Sequence, residues 1–258
     1  MDKNMPIGVF DSGLGGISVL RECVKELPRE NFIYFGDSAN APYGTRSKKE
    51  IQKLSLKAAE LLMDKGIKAL LVACNTASSI AGEILREKYP DFIIVEIEPA
   101  LKPAVTDFPK GRIVVMATPT TLREEKFANL LGQYSQVADI CKLPCPGLPE
   151  FVERGELDSV ALEDYLQEKM SKVKEKPIDA IVLGCTHYPF VEKMIKKVAG
   201  YKTIIYDGSG GTARQLRRRL DSFNLLNDDQ SCGNISWLNS SNTNEIILLS
   251  QKLFSVTL

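Results

Sequence analysis

Short apolar runs rich in Val, Ile and Leu recur along the chain, and between them apolar residues return every three to four positions. The runs predict strands at 6–10, 31–36, 68–73, 92–97, 112–117, 136–141, 178–184 and 202–206. The intervening segments predict helices at 15–26, 48–64, 77–88, 121–131, 158–173, 189–198, 210–221 and 243–253. The second helix has a legible start, because Ser47 followed three residues later by Glu50 spells a capping box. Its positions Ile51, Leu54, Ala58, Leu61 and Leu62 then share a face, and Gly66 follows its end. Regular strand–helix alternation predicts an α/β fold with mainly parallel sheets covered by helices on both faces, which makes three layers.

The pattern repeats. "ALLVACNTAS" at 69–78 and "AIVLGCTHYP" at 180–189 are both apolar runs that end in a small residue, a cysteine and hydrogen-bonding side chains. The cysteines, Cys74 and Cys185, are 111 positions apart. "IGVFDSG" at 7 and "IVVMATP" at 113 match in the same way, each ending in a hydroxyl residue, Ser12 or Thr118. Two related α/β halves, 1 to about 97 and about 98 to 206, explain this better than one continuous sheet. Composition does not say which half the tail from 207 joins.

Composition narrows the function. Lys+Arg and Asp+Glu number 33 each, so the formal net charge is zero. A nucleic acid partner is not expected, since affinity for a phosphate backbone needs a basic surplus. Arg217, Arg218 and Arg219 read as a solvated helix face. No apolar stretch approaches the roughly 18 residues of a membrane span, and the start has no signal-peptide pattern. The expectation is a cytoplasmic chain whose six cysteines are reduced. A single histidine leaves too few ligands for a structural zinc at Cys141 and Cys145, so no metal is expected.

In open α/β sheets ligands bind outside the carboxyl ends of the strands. Polar residues gather there: Asp11 and Ser12, Asp37 and Ser38 with "NAPYGT", Cys74, Asn75 and Thr76, and in the second half Thr118, Cys185, Thr186 and His187. Helix N-termini at that edge favour a small anion. The turn "DSGLGG" departs from the dinucleotide fingerprint, because position 18 is Ser and Asp11 would set a carboxylate beside a pyrophosphate. Two halves packed face to face would bring Cys74 and Cys185 to one ligand from opposite sides. That arrangement suits inversion at a carbon: one thiolate removes a proton and the opposing thiol returns another. A free thiol ionises near pH ~8.5, so a neighbour must assist; Asp11 near Cys74 and His187 near Cys185 are the candidates.

"FDSGLGG" at 10–16, "GDSANAPYG" at 36–44, "ACNTAS" at 73–78 and "GCTHYP" at 184–189 closely resemble glutamate racemase, in order and over nearly the whole chain. The resemblance implies two pseudo-symmetric α/β domains with the active site in the cleft between them. It assigns 207–258 to the first domain, with 1–97, and leaves 98–206 as the second. It implies interconversion of L- and D-glutamate without a cofactor or metal, supplying D-glutamate for bacterial peptidoglycan. Cys74 and Cys185 then correspond to the two acid/base thiols, with Asp11, His187 and a glutamate as their assistants. In "CPGLPEFVERG" that glutamate falls on Glu153, with Glu150 as the alternative. Ser12, Pro42, Tyr43, Gly44, Asn75, Thr76, Thr118 and Thr186 correspond to substrate contacts, shared with Asp11 and His187. A homodimer is implied, as is the shorter type that needs no activator. An aspartate racemase or another two-cysteine racemase is the alternative within the same chemistry, and a dinucleotide-binding α/β protein the alternative outside it.

Overall fold

The computed structural model describes residues 2–256. Among the described residues there are nine strands: β1 Ile7–Asp11, β2 Phe32–Gly36, β3 Ala69–Val72, β4 Ile93–Glu96, β5 Arg112–Ala117, β6 Asp139–Pro144, β7 Ala180–Leu183, β8 Ile204–Asp207 and β9 Ile235–Asn239. They form two sheets, ordered β4-β3-β1-β2-β9 and β6-β5-β7-β8, and every pairing is parallel. Parallel strands need crossover helices, and those helices cover the sheet faces. Strands β1, β3 and β7 are accordingly buried along their whole length.

The repeat seen in the sequence is a repeat of register. In the first sheet Phe10 faces Val72, and the Ala73 N–H donates to the Phe10 carbonyl at 2.7 Å. In the second Met116 faces Leu183, and the Gly184 N–H donates to the Met116 carbonyl at 2.7 Å. Each cysteine therefore leaves its strand one residue beyond an equivalent ladder bond. The four-strand orders β4-β3-β1-β2 and β8-β7-β5-β6 correspond strand for strand.

The helix Lys48–Asp64 starts as predicted. Ser47 N–H donates to Glu50 Oε2 at 3.0 Å, and Glu50 N–H donates to Ser47 Oγ at 3.3 Å. Its buried face is Ile51, Ser55, Ala58, Ala59 and Leu62; Leu61, at the margin of that face, is exposed. Arg217 and Arg218 are exposed on the helix Ser209–Ser222, and Arg217 pairs with Glu26.

Four departures have physical causes, three of them local. Strand β6 begins three residues later than the predicted 136–141, because Val137 and Ala138 N–H groups both turn back to the Tyr134 carbonyl. The predicted helix 121–131 is two helices, Pro119–Arg123 and Glu125–Gly132, separated by Glu124 in an extended conformation. Helices Leu101–Asp107 and Leu148–Glu153 were not predicted; each is under two full turns and contains a proline, which blunts any periodic signal. Strand β9 was also missed. Its pattern is half-buried and it gains its place only by pairing with β2. Among the described residues no helix is long and apolar enough to cross a membrane.

Candidate active site

The carboxyl ends of both sheets face one cavity of about 220 Å³. Ser12, Pro42, Tyr43, Gly44, Cys74, Asn75, Thr76, Thr118, Glu153, Cys185, Thr186 and His187 all line it. Asp11 does not reach this wall. It lies fully buried just behind, accepting from the Gly13 N–H at 2.8 Å and from Thr186 Oγ1 at 3.1 Å. Ser38, Ala41, Pro149 and Glu150 complete the lining. No lysine or arginine is among these residues, so an anion here meets hydroxyls, amides, helix ends and the single imidazole of His187.

The two thiols differ in the element that comes after their strands. Cys74 caps the helix Asn75–Lys88, its sulfur accepting from the Ala77 N–H at 3.5 Å. Ser12 Oγ lies 3.4 Å from the same sulfur. Burial, and then the nearby Asp11 carboxylate, push the Cys74 thiol up to about 12, against the hydrogen bonds from Ser12 and Ala77. Cys185 leads instead into the short 3₁₀ turn Tyr188–Val191, and its sulfur lies 3.7 Å from His187 Nδ1.

His187 is held from its other side. Its Nε2 lies 2.7 Å from Glu153 Oε1, which also accepts from the Leu14 N–H at 2.7 Å. Burial opposes a charged imidazole, but the bonds to Cys185 and Glu153 outweigh it and raise His187 well above the ordinary histidine value. In its protonated form the ring can donate from both nitrogens, to Cys185 and to Glu153. The two glutamates are thereby told apart: Glu153 carries the hydrogen bond to His187, whereas Glu150 Oε2 is buried without a partner. Asp11 is raised by its own burial, with His187 and the Gly13 N–H acting in opposition.

The glycine-rich turn now has a use. A side chain at Gly13 would collide with the Glu153 carboxylate, and one at Gly15 with the His187 ring and Thr186. The backbone approaches side chains from the other sheet, at the surface a dinucleotide phosphate would need. Thr76 and Thr118, which line the cavity, form a triangle of hydroxyls with Thr121, which does not, with edges of 3.2, 3.1 and 2.9 Å. Thr121 was not identified from the sequence, although its spacing from Thr118 is that of an N-cap and its partner. Asn75 is buried, and neither atom of its side-chain amide has a partner.

A family model described as Asp/Glu/Hydantoin racemase matches residues 7–215. The chain belongs to this racemase family, and it is an isomerase. It falls there among the glutamate racemases: it is 53% identical over 254 residues to that of Clostridium botulinum (strain Okra / Type B1), covering 98% of each chain. Among solved structures it resembles the glutamate racemase of Francisella tularensis in complex with D-glutamate, with a TM-score of 0.85, 30% identity, and 99% and 96% of the two chains covered. It also resembles glutamate racemase isoform RacE1 of Bacillus anthracis, with a TM-score of 0.88, 28% identity and the same coverage.

Proposed function

We propose that this chain interconverts L- and D-glutamate by two proton transfers between substrate and its own thiols. The observation that carries the reading is the placement of Cys74 and Cys185, one from each sheet, on the wall of a single small cavity. One thiolate takes the α-proton and becomes a thiol. The electron pair left on carbon spreads into the α-carboxylate, and the opposing thiol gives its proton to the other face. The roles reverse for the other enantiomer.

Such a carbanion is unstable, so the site must meet the charge that develops on the carboxylate. Ser12, Thr76 and Thr118 hydroxyls, the free Asn75 amide and the N–H groups opening the helix Asn75–Lys88 supply neutral donors, while the Thr186 hydroxyl, which donates to Asp11, also lines the wall. Tyr43 and Gly44, with the neighbouring Pro42, close the cavity against the second sheet, where Thr120 Oγ1 donates to the Gly44 carbonyl at 2.6 Å. His187, positioned by Glu153, serves the Cys185 thiol. Asp11 and Ser12 serve the Cys74 side.

The reading extends to the setting. The D-glutamate supplies peptidoglycan in the cytoplasm of a bacterium, and the enzyme is a homodimer, on the strength of the family resemblance. We divide the chain into one domain of 1–97 plus 207–258, which carries Cys74, and a second of 98–206, which carries Cys185; the pairing of β9 with β2 supports placing the tail with the first.

Purified chain incubated with L-glutamate and no added cofactor should lose optical rotation to zero. Run in D₂O, it should place deuterium at the α-carbon of the newly formed enantiomer. Retention of the original hydrogen in most product molecules would rule out exchange through two thiols.

A further inference from the structure

The two cysteine segments are anchored differently. After Cys74, the Asn75 carbonyl accepts from Ser79 Oγ at 2.9 Å, inside its own helix. At the equivalent place after Cys185, the Thr186 carbonyl accepts from Ser18 Oγ at 2.8 Å. Ser18 belongs to the helix Ile17–Glu26, which follows β1 of the other sheet. That carbonyl is part of the peptide joining Thr186 to His187. Its orientation sets where the imidazole stands relative to the Cys185 sulfur.

Ser18 is 2% exposed and does not line the cavity. Its Oγ also lies 2.9 Å from the Gly15 carbonyl, the usual local back-bond of a serine in a first helical turn. One hydroxyl proton serves one carbonyl at a time. Helix formation alone would be better served by alanine; the reach to Thr186 is the contact that ties this helix to the second cysteine segment. The neighbouring cross-sheet bonds, Thr186 to Asp11 and Leu14 to Glu153, involve charged groups already in the acid–base machinery. Ser18 is the neutral member of this clasp.

We propose that Ser18 is a positioning residue for the second thiol, holding the Thr186–His187 peptide so that His187 stays in contact with Cys185. The proposal rests on the two-thiol reading above. Its consequence is one-sided: losing the hydroxyl weakens proton removal by Cys185 and leaves removal by Cys74 nearly intact.

The test uses 3-chloroglutamate of either α-configuration. A thiolate takes the α-proton, the C–H electron pair forms the Cα–Cβ double bond, and chloride departs. The enamine then tautomerises and hydrolyses to 2-oxoglutarate and ammonia, so only the first proton removal is needed. The Cys74→Ser and Cys185→Ser variants assign each configuration to one thiol. In Ser18→Ala, chloride release from the Cys185-dependent configuration should fall about tenfold while the other stays within about twofold, the scale expected of a small misplacement. Ser18→Thr, which restores a hydroxyl, should recover the lost rate. Ser18→Cys, a far weaker donor, should give an intermediate ratio and serves if the alanine variant does not fold. Equal losses for both configurations, no loss, or loss confined to the Cys74-dependent one would overturn the role of Ser18. A wild-type chain that neither racemises glutamate nor releases chloride would overturn the functional reading, and this proposal with it.

Discussion

Cys74 and Cys185 leave their strands at the same register and line the same cavity, but they keep unlike company. Cys74 sits at the start of a 14-residue helix, with a hydroxyl beside it and a carboxylate just behind. Cys185 leads into a 3₁₀ turn and has the His187 imidazole beside it, raised above its ordinary value and backed by Glu153. Backbone duplication gave the two halves a common geometry without giving them common electrostatics. A helix end and a hydroxyl can stabilise a thiolate weakly, and the Asp11 charge works against them. An imidazolium in contact is a far stronger partner. On the two-thiol mechanism proposed above, the two directions of proton transfer would use different helpers, and changes at one thiol should not mirror changes at the other.

The largest effects should come from the thiols themselves. Cys74→Ser and Cys185→Ser should each lower racemisation by on the order of a thousandfold, since a serine alkoxide is scarcely populated at neutral pH. Each should still bind glutamate. With an analogue carrying a β-leaving group, the two variants should favour opposite enantiomers. A shared preference would mean that the thiols do not stand on opposite faces, even if both prove essential.

Next comes the helper of one side. His187→Asn should slow Cys185-dependent proton removal about a hundredfold and the Cys74-dependent step by less than about tenfold. Elimination rates for the two enantiomers measure this directly. Equal losses would erase the contrast between the two sides.

A smaller effect is expected one contact further from the thiol. Glu153→Gln removes the carboxylate that raises His187, so the alkaline limb of kcat/KM against pH should move to lower pH. The same change appears in stability. Folded His187 binds its proton more tightly than the ordinary value of about 6.5 in the unfolded chain. Its contribution is therefore complete below that value and is lost as pH rises through the raised one. The pH-dependent part of the Tm gap between wild type and Glu153→Gln should be widest in acid and close as pH climbs. A gap that widens with pH would mean that His187 is neutral in the fold.

The smallest is a benchmark far from both thiols. Ser47→Ala breaks the capping box of the helix Lys48–Asp64 and should cost about 1 kcal/mol of stability. Chemical denaturation reads that loss. The ratio of elimination rates for the two enantiomers should not change, which separates lost stability from lost positioning.

Much of this was written locally. Buried parallel strands announce themselves as apolar runs: β3 and β7 are apolar throughout, and β1 is apolar up to Asp11. The capping box of Ser47 and Glu50 is a contact within four residues, so the sequence contains both partners. Cys74, Cys185 and their polar neighbours were visible because each ends such a strand. Strand β9, with its half-buried pattern, and the helix that carries Glu153, with a proline in its first turn, left no comparable trace.

What tertiary structure decided is every relation between groups far apart along the chain. That Glu153 rather than Glu150 reaches His187, 34 residues away, depends on how the helix Leu148–Glu153 packs beside the 3₁₀ turn Tyr188–Val191. The bonds of Asp11 to Thr186 and of Ser18 to the Thr186 carbonyl span 175 and 168 residues. Periodicity and capping act over a turn or two and carry no information at that range. Strand ends place functional groups at an edge by local rules, but which of them touch is set by how two sheets pack.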